Sequence, residues 1–138
     1  MYITVRSALA YQKGALELLH IYLQSEYRYL QYGNFDKIEL LESRIIHIVQ
    51  NAFENSAELD RLLGGRSIRE FAAGYEEYMG QPLLDLLRDI ETFQGQCRAQ
   101  AALNKALARV LDEEHMERIG ALYGIPSADN SRERVRYH

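Results

Sequence analysis

The strongest constraint on how this chain folds is a short break between two long runs of helix-forming residues. The break is a Gly-Asn pair, Gly33 and Asn34, in the stretch YLQYGNFDKIELLESR at residues 29–44. A glycine at such a position can adopt the left-handed conformation that ends a helix, and we expect the Asn34 side chain to cap the next helix. Because so short a joint turns neighbouring helices back on each other, the sequence predicts two long antiparallel helices.

Apolar residues on both sides of this joint recur with the period of packed helices. Before it, over about residues 7–31, leucines lie seven residues apart, at Leu9, Leu16, Leu23 and Leu30. After it, over about residues 35–63, apolar residues alternate at spacings of three and four, with one polar interruption at Asn55. Both patterns predict helices that pack lengthwise on one another.

A turn at residues 64–66 and a short third helix are predicted next. Ser67 and Glu70 form a capping box, in which each side chain accepts a hydrogen bond from the backbone N–H of the other. The helix that they open is expected to reach Met79, and Gly80 is expected to end it with a turn at residues 80–81.

The last helix is predicted to begin at Pro82, since a proline in the first turn gives up no intrahelical hydrogen bond. It is expected to reach Tyr123, because Gly124 and Pro126 follow. Residues 1–126 would form one helical-bundle domain and residues 127–138 a flexible tail. Apart from the short MYITV at residues 1–5, no segment has the pattern of a strand.

The predicted fold class is all-α: an antiparallel helical bundle with two long helices, one short helix and a long C-terminal helix. A chain of 138 residues is long enough to bury a core in a single domain. The residues expected in that core are Leu16, Leu23, Ile38, Leu41, Ile45, Ile48, Leu59, Ile90 and Leu111.

Composition argues against several classes of partner. The formal net charge is −4, whereas proteins that bind nucleic acids carry clusters of Lys and Arg. No window approaches the roughly 18 consecutive apolar residues of a membrane span, and the N-terminus lacks the charged and apolar segments of a secretory signal. We therefore expect a cytoplasmic protein that neither binds nucleic acid nor inserts into a membrane.

No pattern in the sequence indicates an enzyme, a metal site or another cofactor. Glu17 with His20, and Asp112 with His115, have the spacing of ligands in di-iron bundles, but such a site also needs two further inward carboxylates. The single cysteine, Cys97, lies at a core position of its helix, whereas reactive thiols need an electropositive, partly exposed setting. We predict no catalytic and no metal-binding residues.

Two segments resemble a known family, the FlgN/FliT-type flagellar export chaperones. LQYGNFDKIELLESR resembles the segment in which the first helix of that family ends at Gly and the second begins at an acidic or Asn cap, with Asn34 where Asp is common. LNKALARVL resembles the Asn-x-x-Leu stretch of the family's last helix, with Asn104 and Leu107 at the matching positions. The order of the helices fits as well, and the long final helix favours a FlgN-like protein.

The resemblance implies a chaperone of flagellar type III export. Such proteins hold hook–filament junction proteins or the filament cap in the cytosol before secretion, and they bind the helical C-terminal segment of the client largely through their own last helix. The cytosolic domain of the export gate is a further partner that the resemblance implies. The alternative from the residues alone is a non-enzymatic helical scaffold or dimerisation adaptor, active as a homodimer.

The apolar pattern near the end of the last helix predicts where a client binds. Beyond Leu111 the core stripe meets polar residues, while Met116, Ile119 and Tyr123 form a new stripe, with Leu122 between the two. An apolar stripe that turns away from a bundle suits helix-in-groove recognition. The predicted partner-binding residues are Asn104, Leu107, Leu111, Met116, Ile119, Leu122 and Tyr123.

The double substitution Ile119→Asp with Leu122→Asp tests this stripe. If the stripe is a binding face, the melting temperature should stay unchanged, because these side chains then do not pack in the free chain. Client binding should disappear, because the complex would have to bury two carboxylates in place of apolar contact area. Thermal unfolding followed by circular dichroism, together with a pull-down of the client, measures both effects. A large fall in melting temperature would show that these residues belong to the core.

Overall fold

The computed structural model describes the backbone of residues 1–123 and the side chains of residues 1–113. Over this part the chain is all-α, with no strand and with helices α1 (Tyr2–Tyr32), α2 (Phe35–Leu63), α3 (Ile68–Ala73) and α4 (Glu77–Tyr123). The predicted fold class and the predicted bounds of α2 are confirmed. The predicted tail, residues 127–138, lies outside the described residues.

The joint between α1 and α2 is built as predicted at Gly33 but not at Asn34. Gly33 is left-handed with φ 71°, and the N–H of Asn34 donates to the carbonyl of Tyr29 at 2.9 Å, which closes the helix. The Asn34 side chain makes no capping hydrogen bond, so that prediction is wrong. Its ψ of 64° departs from the extended backbone of Ser67, at ψ 163°, whose hydroxyl accepts from the N–H of Glu70 at 3.0 Å.

Helix α1 begins earlier than predicted, at Tyr2, and includes the MYITV segment except for Met1, which is its N-cap. Val5 in this segment is fully buried. The hydroxyl of Tyr2 donates to the carbonyl of Met79 at 2.6 Å, which joins the first turn of α1 to the first turn of α4. An apolar run this short does not show whether its spacing is that of a helix or of a strand. For this reason the segment was not predicted as part of α1.

The break between α3 and α4 lies at residues 74–76 and not at residues 80–81. Helix α3 ends at Ala73, where the N–H of Gly74 donates to the carbonyl of Phe71 at 3.2 Å. Because α4 begins at Glu77, both Gly80 and Pro82 lie inside it. The predictions that Gly80 ends a helix and that Pro82 opens one are therefore wrong.

Gly80 is needed for close packing and not for a turn. A Cβ atom at this position would lie 2.7 Å from the carbonyl oxygen of Ala72. Only a residue without a Cβ lets the start of α4 approach the end of α3 so closely. A sequence does not distinguish a glycine that ends a helix from a glycine that lets a neighbouring backbone come close. For this reason the break between α3 and α4 was predicted at Gly80.

Helix α1 is the shared partner of the other two long helices. The main pairings are α1 with α4, α1 with α2, and α3 with α4. Helix α2 returns antiparallel to α1 after the joint. Two hydrogen bonds with the same separation of 81 residues, from Cys97 to Leu16 and from Asn104 to Leu23, show that α4 runs parallel to α1. Consecutive long helices are thus antiparallel, as in an up-and-down bundle.

The core forms where the other helices meet α1. Its buried cluster consists of Val5, Leu9, Leu16, Leu23, Leu59, Leu63, Phe71, Ala72, Leu83, Ile90 and Cys97. The predicted core residues that are buried are Leu16, Leu23, Ile38, Leu41, Leu59 and Ile90. The remaining three, Ile45, Ile48 and Leu111, are only half-buried, which corrects the prediction. The two isoleucines stay half-exposed because the middle of α2 has α1 as its one main packing partner.

Two matched substitutions test the packing role of Gly80. Gly80→Ala should lower the free energy of unfolding by about 1–3 kcal/mol, because the new methyl group overlaps the Ala72 carbonyl. Gly95→Ala lies in the same helix with no atom within 4 Å of a new Cβ, so it should raise stability by about 0.5–1 kcal/mol. Urea unfolding measures both, and a stabilising Gly80→Ala would contradict the close approach of α3 and α4.

Candidate partner-binding surface

Asn104 is a buried link between α4 and α1. Its side chain is only 4% exposed. The amide nitrogen donates to the carbonyl of Leu23 at 2.8 Å and to the carboxylate of Glu26 at 2.7 Å, and the amide oxygen accepts from Gln100 at 3.0 Å. Both amide hydrogens are therefore used within the chain. A partner could contact this amide directly only if these bonds were broken.

The other predicted binding residues lie further along α4. Leu107 and Leu111 are half-buried and keep part of their apolar surface accessible. The last four lie outside the residues whose side chains are described: Met116, Ile119, Leu122 and Tyr123. Their part in binding stays a prediction.

The register of α1 against α4 places the end of α1 well before the end of α4. The separation that joins Leu23 to Asn104 brings Tyr32, the last residue of α1, level with residue 113. The backbone of α4 is helical as far as Tyr123. At ~1.5 Å per residue, roughly 15 Å of α4 then extends past the end of α1. The predicted stripe lies on this extension.

An open groove lies between α1 and α2, and no residue of α4 up to residue 113 lines it. One half has a volume of about 420 Å³ and is lined by Leu18, Tyr22, Leu40, Ser43, Arg44, His47 and Ile48. The other half has a volume of about 400 Å³ and is lined by Tyr11, Gly14, Ala15, Leu18, His47, Ile48 and Asn51. Because the halves share Leu18, His47 and Ile48, they form one continuous groove, which we call the α1–α2 groove.

The α1–α2 groove exposes large apolar side chains. Leu18 of α1 is 41% exposed, and Leu40 of α2 is 60% exposed. On α1 the lining residues recur every three or four positions from Tyr11 to Tyr22, which at ~1.5 Å per residue gives a length of roughly 17 Å. A trough of this length between two helices has the shape that receives an amphipathic helix of about three turns.

The described side chains place Glu17 in a surface ion pair, while His115 of the other pair considered lies outside them. Among residues 1–113 there is no group of three or more His, Cys, Asp and Glu side chains that could hold a metal ion. The Lys13 ammonium lies 3.9 Å from Glu17 and 3.1 Å from Asp89, so the Glu17 carboxylate faces a cation at the surface. Burial raises the pKa of the Cys97 thiol, which disfavours the reactive thiolate.

The α1–α2 groove was missed by the sequence analysis, although part of its signal is visible there. Leu18 and Leu40 are apolar residues that lie off the core stripes of their helices. From the sequence of one helix alone, such a residue is as compatible with burial under a third helix as with exposure in a groove. Whether α4 covers the groove depends on where α4 lies around α1, which the apolar spacing does not specify.

Replacing Asn104 tests the link between α4 and α1. Asn104→Ala should lower the free energy of unfolding by about 1–3 kcal/mol, because it removes the donor from a buried carbonyl and a carboxylate. Asn51→Ala is the control: that amide contacts the His47 ring at 3.3 Å in an exposed position, and its loss should cost less than about 0.5 kcal/mol. Equal costs in urea unfolding would show that the buried bonds contribute nothing.

Comparisons with known proteins give no relative for this chain. No family model, no curated protein and no solved structure matches it. Within residues 1–123, none of the helices combines the length and the apolarity that a bilayer span requires. The resemblance to the flagellar export chaperones therefore stays a prediction from the residues around Gly33 and Asn104.

Proposed function

We propose that this protein is a non-enzymatic binder of helices, which holds an amphipathic helical segment of a partner protein in the α1–α2 groove. The observation that carries the proposal is the groove itself, because Leu18 of α1 and Leu40 of α2 line it and are exposed to solvent. Its size and helical spacing match the helix-in-groove mode of peptide recognition.

The resemblance suggests the identity of the partner. The client of a FlgN-like chaperone is the helical C-terminal segment of a hook–filament junction protein, or of the filament cap, held in the cytoplasm before export. Such a segment must stay unassembled until secretion, and burying its apolar stripe in a groove achieves this. We extend the same function to this chain, with the α1–α2 groove as one of its contact surfaces.

The end of α4 is a second contact surface in this proposal. The described lining of the α1–α2 groove comes from α1 and α2, whereas the second surface lies on the α4 extension past Tyr32. A client longer than the groove could contact both, and two linked contacts give higher avidity than either alone. Substitutions on the two surfaces should therefore weaken binding independently.

A pull-down with C-terminal segments of flagellar junction and cap proteins from the same genome tests the client. Retention of at least one segment at micromolar concentration is the expected result. If none is retained while the purified chain forms a stable dimer, the scaffold or dimerisation adaptor becomes the better description. Sedimentation of the purified chain alone gives that second measurement.

Leu40→Asp and Ile46→Asp form a matched pair that tests the groove. Both residues are on α2 and are similarly exposed, at 60% and 57%, but only Leu40 lines the groove. Leu40→Asp should weaken client binding at least about tenfold, because it places a charge against the apolar face of the bound helix. Ile46→Asp should leave binding unchanged, and neither should lower the melting temperature by more than a few degrees. Equal losses of affinity in titration calorimetry would contradict the groove.

A further inference from the structure

We propose that the α1–α2 groove selects a partner helix that carries a carboxylate beside its apolar stripe, and that Arg44 is the residue that recognises this carboxylate. The inference rests on the proposed function, since it names the chemistry of the helix that the groove would hold. It assigns a specificity-determining role to a residue that the sequence analysis did not single out.

The formal charge that lines the groove is positive. Among the described lining residues Arg44 carries a guanidinium and His47 an imidazole, and none is acidic. The neighbours of Arg44 in its half of the groove include Leu18, Tyr22 and Leu40. A guanidinium among apolar walls favours an anionic partner group, because its planar donors bind a carboxylate through two parallel hydrogen bonds.

Arg44 has no partner inside the described part of the chain. Within residues 1–113 its guanidinium forms neither an ion pair nor a hydrogen bond, whereas Arg61 on the same helix pairs with Glu58. The His47 ring is engaged differently, at 3.3 Å from the amide of Asn51. The donors of Arg44 are thus available to a ligand without the loss of any contact among residues 1–113.

Charge also decides between the possible occupants of the groove. In a dimer in which two such grooves face each other, the lining of the second copy would offer Arg44 no carboxylate, because none of the described lining residues is acidic. The segment at residues 127–138 carries three Arg against Asp129 and Glu133, a net charge of +1 (3 − 2), so it complements Arg44 less well than an acidic helix does. A separate helix with an acidic flank is the occupant that complements both the apolar walls and the cation.

Designed peptides test this selectivity directly. The probe is an amphipathic helix of about 18 residues, with leucines at i, i+4, i+7 and i+11 and two Glu residues beside that stripe. Matched peptides carry Gln or Lys at the two Glu positions. Fluorescence anisotropy should show the Glu peptide binding about tenfold tighter than the Gln peptide, with the Lys peptide weakest, because a charge-assisted hydrogen bond is stronger than a neutral one.

A charge reversal at Arg44 should invert this order. Arg44→Glu should bind the Lys peptide better than the Glu peptide. Arg98→Glu is the control, since it changes the net charge equally on an exposed position of α4, which lines no part of the groove. The same inversion with Arg98→Glu, or equal binding of the Glu and Gln peptides to the unmodified chain, would overturn the role of Arg44.

The two proposals fail in different ways. If the Gln peptide binds and Leu40→Asp abolishes that binding, the groove holds helices, whatever the result for Arg44. If the Glu peptide shows no advantage under those conditions, only the carboxylate selectivity is wrong. If no peptide binds, or if Leu40→Asp has no effect on binding, the α1–α2 groove is not a docking site and both proposals fall.

Discussion

The whole arrangement depends on hydrogen bonds that side chains of α2 and α4 donate to backbone carbonyls of α1. Asn55 of α2 donates to the carbonyl of Ala8 at 2.9 Å, and Asn104 of α4 donates to the carbonyl of Leu23 at 2.8 Å. A carbonyl oxygen has two lone pairs, so it can accept such a bond in addition to its intrahelical one. Both neighbours are therefore fixed against the same helix, and α1 sets the position of each.

These hydrogen bonds specify the register of the helices, which apolar contacts alone leave undefined. The leucines of α1 repeat every seven residues, so sliding α4 by one heptad would again bring leucines to the seam. That slide would place Leu19 or Gly33, instead of Glu26, beside Asn104, and neither offers a side-chain acceptor. A buried amide that loses the carboxylate acceptor of one N–H costs free energy, so the polar residue favours one register, as a single buried Asn does in coiled coils.

Sequence reasoning located α2 well because period and end signals agree there, from the left-handed Gly33 to the C-cap Gly64. It failed where one residue type has two structural uses: Gly80 admits a neighbouring backbone instead of ending a helix. It also read Asn55 as an interruption of a stripe, although that amide is an interhelical donor. For the candidate site, the sequence shows the apolar residues that line the groove. Whether the groove is open depends on the position of α4, which is set by interhelical hydrogen bonds that no local sequence pattern predicts.

The same register explains why the α1–α2 groove stays open for a partner. The bonds of Cys97 and Asn104 hold α4 along one side of α1, and none of the described α4 side chains lines the groove to which Leu18 belongs. For α4 to cover Leu18 it would have to rotate around α1, and the buried amide would then lose its acceptors. The stability of the fold therefore comes mainly from the interfaces of α1 with its neighbours, whereas the exposed residues of the groove contribute little to it. A chain built in this way can present apolar residues and Arg44, which pairs with no side chain among residues 1–113, to a partner helix while its own fold depends on neither.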